Sequence, residues 1–555
     1  MQKIRLVLTI HSWILGILCV CLPLAKAEDS SAPFITEKWV GTNYTPAYAC
    51  NQVHFWRDFR SDVVEKELAA AARYFALNTL RVYLHPINFE QDRENFFANL
   101  ETFLMICEKY NIRPGFTFFD DCWNHEGIDL DTPTEPVKGL HNGRWAASPQ
   151  ARDRDINNLE RYKPYLQEIV SKYKDDPRVL WWETCNEPNM GNEFSIALRK
   201  AAYQFIKEVN PKQPVICCWD DSPETDIVNA HNYSAVFSDW DRQTDLNPAK
   251  GSVFTEAGAR WFAPRPSNGE PVEVIRWLET RKRDGKYVPG VYLCWELMVG
   301  NSHCRWYWGT EENTPEPTLP WCGLLWPDAT PVSLAEAEAV RHYVTGETKA
   351  LFFDDFQKPP KETPAKTGQT QDGAWTIFDP NHELGSSVCE LGPMVKRIAG
   401  DETWGDIVLE AVVMLTEEHG NAGLIFRVND PGMGRGGPIA DDFTGYYVGF
   451  DAKTLYLGKM MKGVWKPLET FSLEQLDCKV VPGVWNTVRI ALNGPQIRVW
   501  FNRMHPSADP QNGLRLDYTD TDSPILRGKI GLRTHATTAK FDNVIVLPIE
   551  ELPSL

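Results

Sequence analysis

The sequence predicts an α/β fold in its first two-thirds, a (β/α)8 TIM barrel, followed by an all-β sandwich. Three observations carry this. From about residue 34 to 350, short apolar strand-like runs alternate with amphipathic helical stretches, eight times over. Two of those runs end in a glutamate, Glu187 and Glu256, at the strand ends where barrels carry their chemistry. Beyond residue 350 helical periodicity gives way to period-two alternation.

In order, Trp39 to Thr45 reads as the first strand. Asp62 to Leu77 follows as a helix with Val64, Leu68, Ala72 and Phe75 on one face. Thr79–Leu84 is the second strand, and a helix over Leu100–Tyr110 precedes the third, Pro114–Phe119. Leu159–Tyr173 leads into the fourth strand, Val179–Trp182, which ends in polar residues before Pro188. Phe194, Leu198, Ala202, Phe205 and Val209 mark the next helix. Val215–Trp219, Ile227–Tyr233 and Val253–Glu256 are the fifth to seventh strands. Val272–Lys282 is a helix, Gly290–Glu296 the eighth strand, and Ser333–Val344 a closing helix with a Ser333/Glu336 capping box and Gly346 as its stop.

Residues 1–27 read as a secretory signal peptide: Lys3 and Arg5, an apolar run from Leu6 to Leu24, then Ala25-Lys26-Ala27. No other run is apolar and long enough to span a bilayer, so the expectation is a secreted or periplasmic protein that is not membrane-spanning. Without the leader the chain carries 54 basic against 75 acidic residues, a net charge of −21. That disfavours nucleic acid and anionic membranes as partners and suits a neutral substrate. Thirteen cysteines, two of them in the leader, leave an odd eleven. Cys107, Cys217, Cys218 and Cys294 lie in apolar runs and read as buried thiols, whereas Cys304 and Cys322, flanking a Pro-rich loop, are the best disulfide candidates. No cysteine spacing matches a zinc site.

Two glutamates closing different buried strands are what a retaining glycosidase needs, one as acid and base and one as nucleophile. Trp182-Glu183-Thr184-Cys185-Asn186-Glu187-Pro188 and Phe254-Thr255-Glu256 resemble the acid/base and nucleophile strands of clan A glycoside hydrolases, most closely the cellulase-like family 5. The resemblance implies Glu187 as acid/base and Glu256 as nucleophile. It implies Arg81 beside the nucleophile, Asn186 at the sugar 2-hydroxyl, Tyr233 of His231-Asn232-Tyr233 on the nucleophile, and Trp295 as an aromatic floor. No metal or organic cofactor is then required. The third strand departs from the family: it ends Phe119-Asp120-Asp121-Cys122-Trp123 where many members carry a histidine. Asp120 or Asp121 would bind a sugar hydroxyl or cap the following loop, and the sequence leaves both readings open. Glu183 and Glu296 are carboxylates that could be mistaken for the catalytic pair, and alternation along the strand turns Glu296 away from the face that Trp295 presents. Two insertions are rich in rings that a sugar could stack on. One, 120–149, holds Trp123, His125, His141 and Trp145; the other, 299–328, holds Trp306, Tyr307, Trp308, Trp321 and Trp326, of which one or two are expected to touch substrate.

In the sandwich, strands are expected over Ile407–Leu415, Ala422–Val428, Tyr446–Phe450, Leu455–Lys459, Trp485–Leu492, Gln496–Phe501, Lys529–Arg533 and Phe541–Leu547, with an Asn493-Gly494 hairpin turn. Lys358–Asp372 reads as a loop inside the module. The opening Phe352-Phe353-Asp354-Asp355-Phe356 and closing Phe541-Asp542-Asn543-Val544 resemble concanavalin-like, laminin-G-like jelly rolls. Such modules bind glycans, act as enzymes or support a neighbour; the sequence shows no paired-glutamate strand of the enzymatic kind, which favours binding or support, and Asp354, Asp355 and Asp542 are calcium candidates. The domains are thus a signal peptide (1–27), a catalytic barrel (28–350) and a sandwich (351–555). The expected function is a secreted retaining β-glycoside hydrolase acting on a β-linked carbohydrate. The alternatives are a non-catalytic glycan-binding platform and a purely structural surface protein. The glycan, endo or exo action and the oligomeric state are not legible.

Overall fold

Eight short parallel strands form one sheet in the cyclic order 5-4-3-2-1-8-7-6, with its seam between the fifth and sixth. They are β1 (Val40–Asn43), β2 (Thr79–Tyr83), β3 (Arg113–Asp120), β4 (Trp182–Asn186), β5 (Val215–Ile216), β6 (Val228–Asn232), β7 (Ser252–Ala257) and β8 (Gly290–Leu293). The structure, a computed structural model, describes residues 37–124, 135–234, 236–258, 260, 271–283, 288–356, 362–364, 369–372, 374–378, 389–434, 439–476, 478–503 and 513–552. The expected leader and His125 lie outside these. No helix among the described residues is long and apolar enough to cross a membrane. Alternation along the strands divides the barrel. Leu80, Val82, Phe116, Phe118 and Trp182 face the helices and build the main core, while Trp181, Tyr292 and Val253 plug the barrel floor.

The eight strands fall where the sequence places them, with one shift of substance. The fourth runs over Trp182–Asn186 rather than Val179–Trp182. Its polar residues stay in the sheet because the interior satisfies them: Glu183 accepts from Arg81 (2.6 and 3.0 Å), Thr117 (2.7 Å) and Asn229 (3.0 Å). The closing helix, Leu334–Thr345, is capped by Ser333 and stopped by Gly346 at φ +78°. Only half of the expected capping box forms, since the Glu336 carboxylate pairs with the buried Arg260 instead. Cys304 and Cys322 are free thiols, not a disulfide. Their backbones meet, Cys322 N–H donating to Cys304 C=O (3.2 Å), and the Cys304 thiol turns away to Met298 C=O (3.4 Å).

The sandwich stacks a nine-stranded antiparallel sheet on a seven-stranded one. All eight expected strands are present, and the hairpin turns at Asn493-Gly494 with Gly494 at φ +51°. The opening and closing motifs pair with each other, Phe352–Asp354 against Val544–Val546. Lys358–Asp372 is more than a loop: Glu362–Pro364 and Gln369–Asp372 are strands at the edge of the larger sheet. The calcium candidates do not converge. Asp354 accepts from Phe356 N–H and Trp375 Nε1, Asp355 pairs with Arg276, and Asp542 accepts from Asn543 N–H. The sandwich's smaller sheet packs on the barrel. Val408, Ala491, Trp500, Ile545 and Leu547 bury against Leu334 and Ala335. Around them, Glu410 accepts from Leu334 N–H (2.7 Å) and Arg489 Nε (2.6 Å), and Arg503 reaches Asp328 (2.7 Å).

Candidate active site

Strand register brings the polar residues together at the carboxyl ends of the barrel. Asn43 lies opposite Arg81, Asp120 opposite Asn186, and His231 opposite Glu256. Glu187 follows β4 at φ +40°, a left-handed conformation unusual for a residue with a side chain, which marks a backbone held by its surroundings. One carboxylate oxygen of Glu187, one of Glu256 and a ring nitrogen of His231 all lie within 4.8 Å of one another.

Arg81 is fully buried beneath this group. It donates to Glu256 Oε1 (2.7 Å), to both oxygens of Glu183, to Asn43 Oδ1 (3.0 Å) and to Asn186 Oδ1 (2.7 Å). Its bond to Glu256 is a charge-assisted one from a buried guanidinium. Tyr233 OH donates to Glu256 Oε2 (2.6 Å), and Tyr83 OH lies 3.4 Å from Oε1. Both Glu256 oxygens are therefore fixed in place.

Glu187 is held differently. Its Oε1 faces His231 Nδ1 at 2.8 Å and its Oε2 accepts from the Cys122 thiol at 2.7 Å. Thr255 donates its hydroxyl proton to Asn229 Oδ1 (2.7 Å), so it accepts from His231 Nε2–H (3.0 Å). A neutral imidazole with its proton on Nε2 leaves Nδ1 bare toward Glu187, and one proton is shared between the two groups. Burial pushes Glu187 up, but the hydrogen bonds from His231 and Cys122 and the charge of Arg81 outweigh it and leave its pKa lowered. Burial works against a charged His231, yet Glu256 and Glu187 raise its pKa. The proton thus belongs to the His231–Glu187 pair rather than to Glu187 by itself. The donors in this cluster are already engaged with one another, with Arg81 and with Tyr233, an arrangement suited to moving a proton rather than to caging a metal ion.

The two third-strand aspartates separate. Asp120 lines the cleft and accepts from Asn186 Nδ2 (2.9 Å), Cys122 N–H (3.0 Å) and Trp145 Nε1. Burial pushes its pKa up to about 7 against those hydrogen bonds. Asp121 anchors the loops behind, accepting from Asn189 N–H (2.7 Å) and Ser195 and pairing with Arg154. Asp120 and Arg81 between them fix which way the Asn186 amide points.

Aromatic rings wall the cleft, which holds about 410 Å³ open to solvent. Trp123, Trp145, Tyr233, Trp295, Trp308 and Trp321 line it. Trp295 packs edge-on to Tyr83 (5.3 Å) and Trp145 (5.0 Å). From the second insertion, Trp308 and Trp321 reach the cleft, and Trp308 is 39% exposed. Trp306 and Trp326 are buried packing. Asp120, Trp123, Asn186, Glu187, Tyr233, Glu256 and Trp295 line the cleft, and Arg81 and His231 lie directly behind it, touching Glu256 and Glu187. Cys122, Tyr83 and Thr255 were not anticipated. Only Cys122 had a visible signal, since it lies in the third-strand stretch Phe119-Asp120-Asp121-Cys122-Trp123 that departs from the family resemblance.

Glu296 is buried on the far side of its strand end, outside the cleft. Burial pushes its pKa up to about 8, with Ser302 and Thr45 pulling it partly back and Glu67 adding to the rise. The folded state therefore keeps a proton that the unfolded chain releases near pH 4.5, so stability is lost as pH rises toward 8 and levels off above it. The slope is up to ~1.4 kcal/mol per pH unit. Glu296→Gln, which cannot ionise, should match wild type near pH 4 and exceed it at pH 8 in urea denaturation. The contribution of Glu67, raised to about 7 by burial, would remain.

No curated protein matches the chain significantly. GH5_18 from Streptomyces cattleya in complex with GlcNAc is 16% identical, over 56% of this chain and 81% of its own, with a TM-score of 0.36. The carbohydrate-binding module CBM66 from Bacillus subtilis is 14% identical, over 31% and 95%, with a TM-score of 0.23. A Bacillus licheniformis β-glucanase is 13% identical, over 35% and 97%, with a TM-score of 0.25. Residues 355–547 match the family model of the 3-keto-alpha-glucoside-1,2-lyase-like domain. Residues 139–250, a stretch that includes Asn186, Glu187, His231 and Tyr233, match that of the cellulases, glycosyl hydrolase family 5, and this match supports glycosidase activity.

Proposed function

We propose that the protein is an exported β-glycoside hydrolase that works with retention, through a glycosyl-enzyme on Glu256. The observation that carries this reading is the approach of Glu187 and Glu256 oxygens to within 4.8 Å, with Arg81 and Tyr233 on one carboxylate and His231 on the other. Retaining glycosidases place their carboxyls about 5 Å apart, whereas inverting ones leave room for a water between them. Glu256, held by Arg81 and Tyr233, attacks the anomeric carbon as the glycosidic C–O bond breaks. The departing oxygen takes the proton of the His231–Glu187 pair from Glu187. Glu187, then a carboxylate, removes a proton from the water that cleaves the intermediate, and the pair is restored. Asn186, with its oxygen on Arg81 and one amide hydrogen on Asp120, offers its remaining amide hydrogen to a sugar hydroxyl, and Trp295, Trp308 and Trp321 offer surfaces for pyranose rings. In this reading residues 1–27 are a removed leader, 28–350 the catalytic domain and 351–555 a sandwich that supports it. A neutral carbohydrate is the partner.

Reducing-sugar release from β-glucans, β-mannans, xylans and β-galactans, with wild type and Glu187→Ala side by side, tests the proposal. Loss of the acid/base should lower turnover by roughly 10²–10⁴-fold. Added azide should restore turnover in the variant with a β-glycosyl azide as product. An inactive wild type that still binds one glycan would favour the binding-platform reading instead.

A further inference from the structure

Resting on the assignment of Glu187 as acid/base, we infer that Cys122 is the positioning residue for that carboxylate, its thiol holding Glu187 Oε2 while His231 holds Oε1. The two oxygens are gripped from different strands, Oε2 from the end of β3 at 2.7 Å and Oε1 from β6 at 2.8 Å. The thiol's place does not depend on substrate, because Cys122 N–H is tied to Asp120 Oδ1 (3.0 Å) and Asp120 is fixed by Asn186 and Trp145.

Burial and the neighbouring charges of Glu187 and Asp120 raise the Cys122 pKa well above that of an ordinary thiol. The sulfur therefore keeps its proton and acts as a donor. A donor to a carboxylate stabilises the charged form and lowers its pKa. Through this contact Cys122 sets two things: the orientation of the Glu187 oxygens toward the leaving group, and the pH at which the acid form is lost. A thiol is a weak donor, so the effect is a tuning rather than a requirement.

The test uses the full chain as wild type, Cys122→Ala and Cys122→Ser, with ¹³C-carboxyl glutamate followed by NMR through a pH titration. Glu187 is identified by the signal missing from Glu187→Gln. Cys122→Ala should raise the Glu187 titration by ~0.5–1 pH unit and Cys122→Ser, which keeps a donor, should return it toward wild type. The basic limb of kcat/KM should move by the same amount, with kcat lowered several-fold and KM little changed. A Glu187 titration unmoved in Cys122→Ala, or a serine variant that behaves as the alanine one, would overturn the inference. Should Cys122→Ala not fold, the serine variant decides alone: a Glu187 titration close to wild type upholds the contact, and one raised by a unit overturns it. Failure of the glycosidase reading shows separately, as a wild type that hydrolyses no β-glycoside, while the carboxyl titration still decides the thiol contact.

Discussion

Glu256→Gln is expected to abolish turnover, by a factor on the order of 10⁶, as loss of the nucleophile does in another covalent catalyst. Gln is nearly isosteric and can keep a hydrogen bond from Tyr233 or Arg81, so the fold and the cleft should survive. Glycan affinity measured by calorimetry should stay within a few-fold of wild type, and azide should not rescue the variant, because no glycosyl-enzyme can form. A lectin built on the same barrel would show no change in either measurement. Arg81 faces two carboxylates, Glu183 and Glu256, and their removal is not equivalent. Glu183 is fully buried and serves to fix Arg81, so substitution there should cost stability, whereas substitution of the cleft-facing Glu256 should cost chemistry.

The second large effect is on stability and lies far from the cleft. Glu410 belongs to the sandwich strand Ile407–Leu415, yet its carboxylate caps the first N–H of the barrel's closing helix at Leu334 and pairs with Arg489. Arg489 in turn donates to the carbonyls of Pro331 (2.9 Å) and Val332 (3.3 Å). Glu410→Ala would leave a buried guanidinium without its counter-charge and the Leu334 N–H without its acceptor, although Ser333 still caps the helix, at a cost of about 3–5 kcal/mol. Chemical denaturation should show this as one shifted transition shared by barrel and sandwich, since the interface joins them. A Glu410→Leu, Arg489→Met double variant, which removes both charges, should be much less destabilised. Two separate transitions in wild type would contradict the account of the sandwich as a support bonded to the barrel.

Much of this was legible in the sequence, for a physical reason. Barrel strands are short, apolar on the helix-facing side and closed by chemistry-bearing residues, so Glu187 and Glu256 stand out against their runs, whereas Arg81 and Trp295 came from the family resemblance and Asp120 was not separable from Asp121. What escaped depends on partners distant in the chain. The fourth strand looked finished at Trp182 because Glu183 and Thr184 are polar, but Arg81, Thr117 and Asn229, from three other strands, supply what Glu183 needs. The hydrogen bond from Cys122 to Glu187 likewise joins residues from the ends of different strands, and no local pattern announces it. Trp306 and Trp308 are two positions apart and identical in type. One buries its indole N–H on the carbonyls of Thr314 and Pro315 and the other stands 39% exposed at the cleft, a difference set by loop folding alone. The edge strands Glu362–Pro364 and Gln369–Asp372 were hidden by Pro, Lys and Thr, residues natural to a sheet edge but equally to a loop.

The most direct test of the central claim is covalent trapping of the intermediate. Wild type would be incubated with a 2-deoxy-2-fluoro β-glycoside of the sugar found active in the glycan panel, digested, and mapped by mass spectrometry. The account predicts one added fluoroglycosyl mass, carried by the peptide that contains Glu256 and absent from Glu256→Gln. A label on Glu187, Glu183 or Glu296, or an active enzyme that is never labelled and releases the α-anomer first, would contradict it.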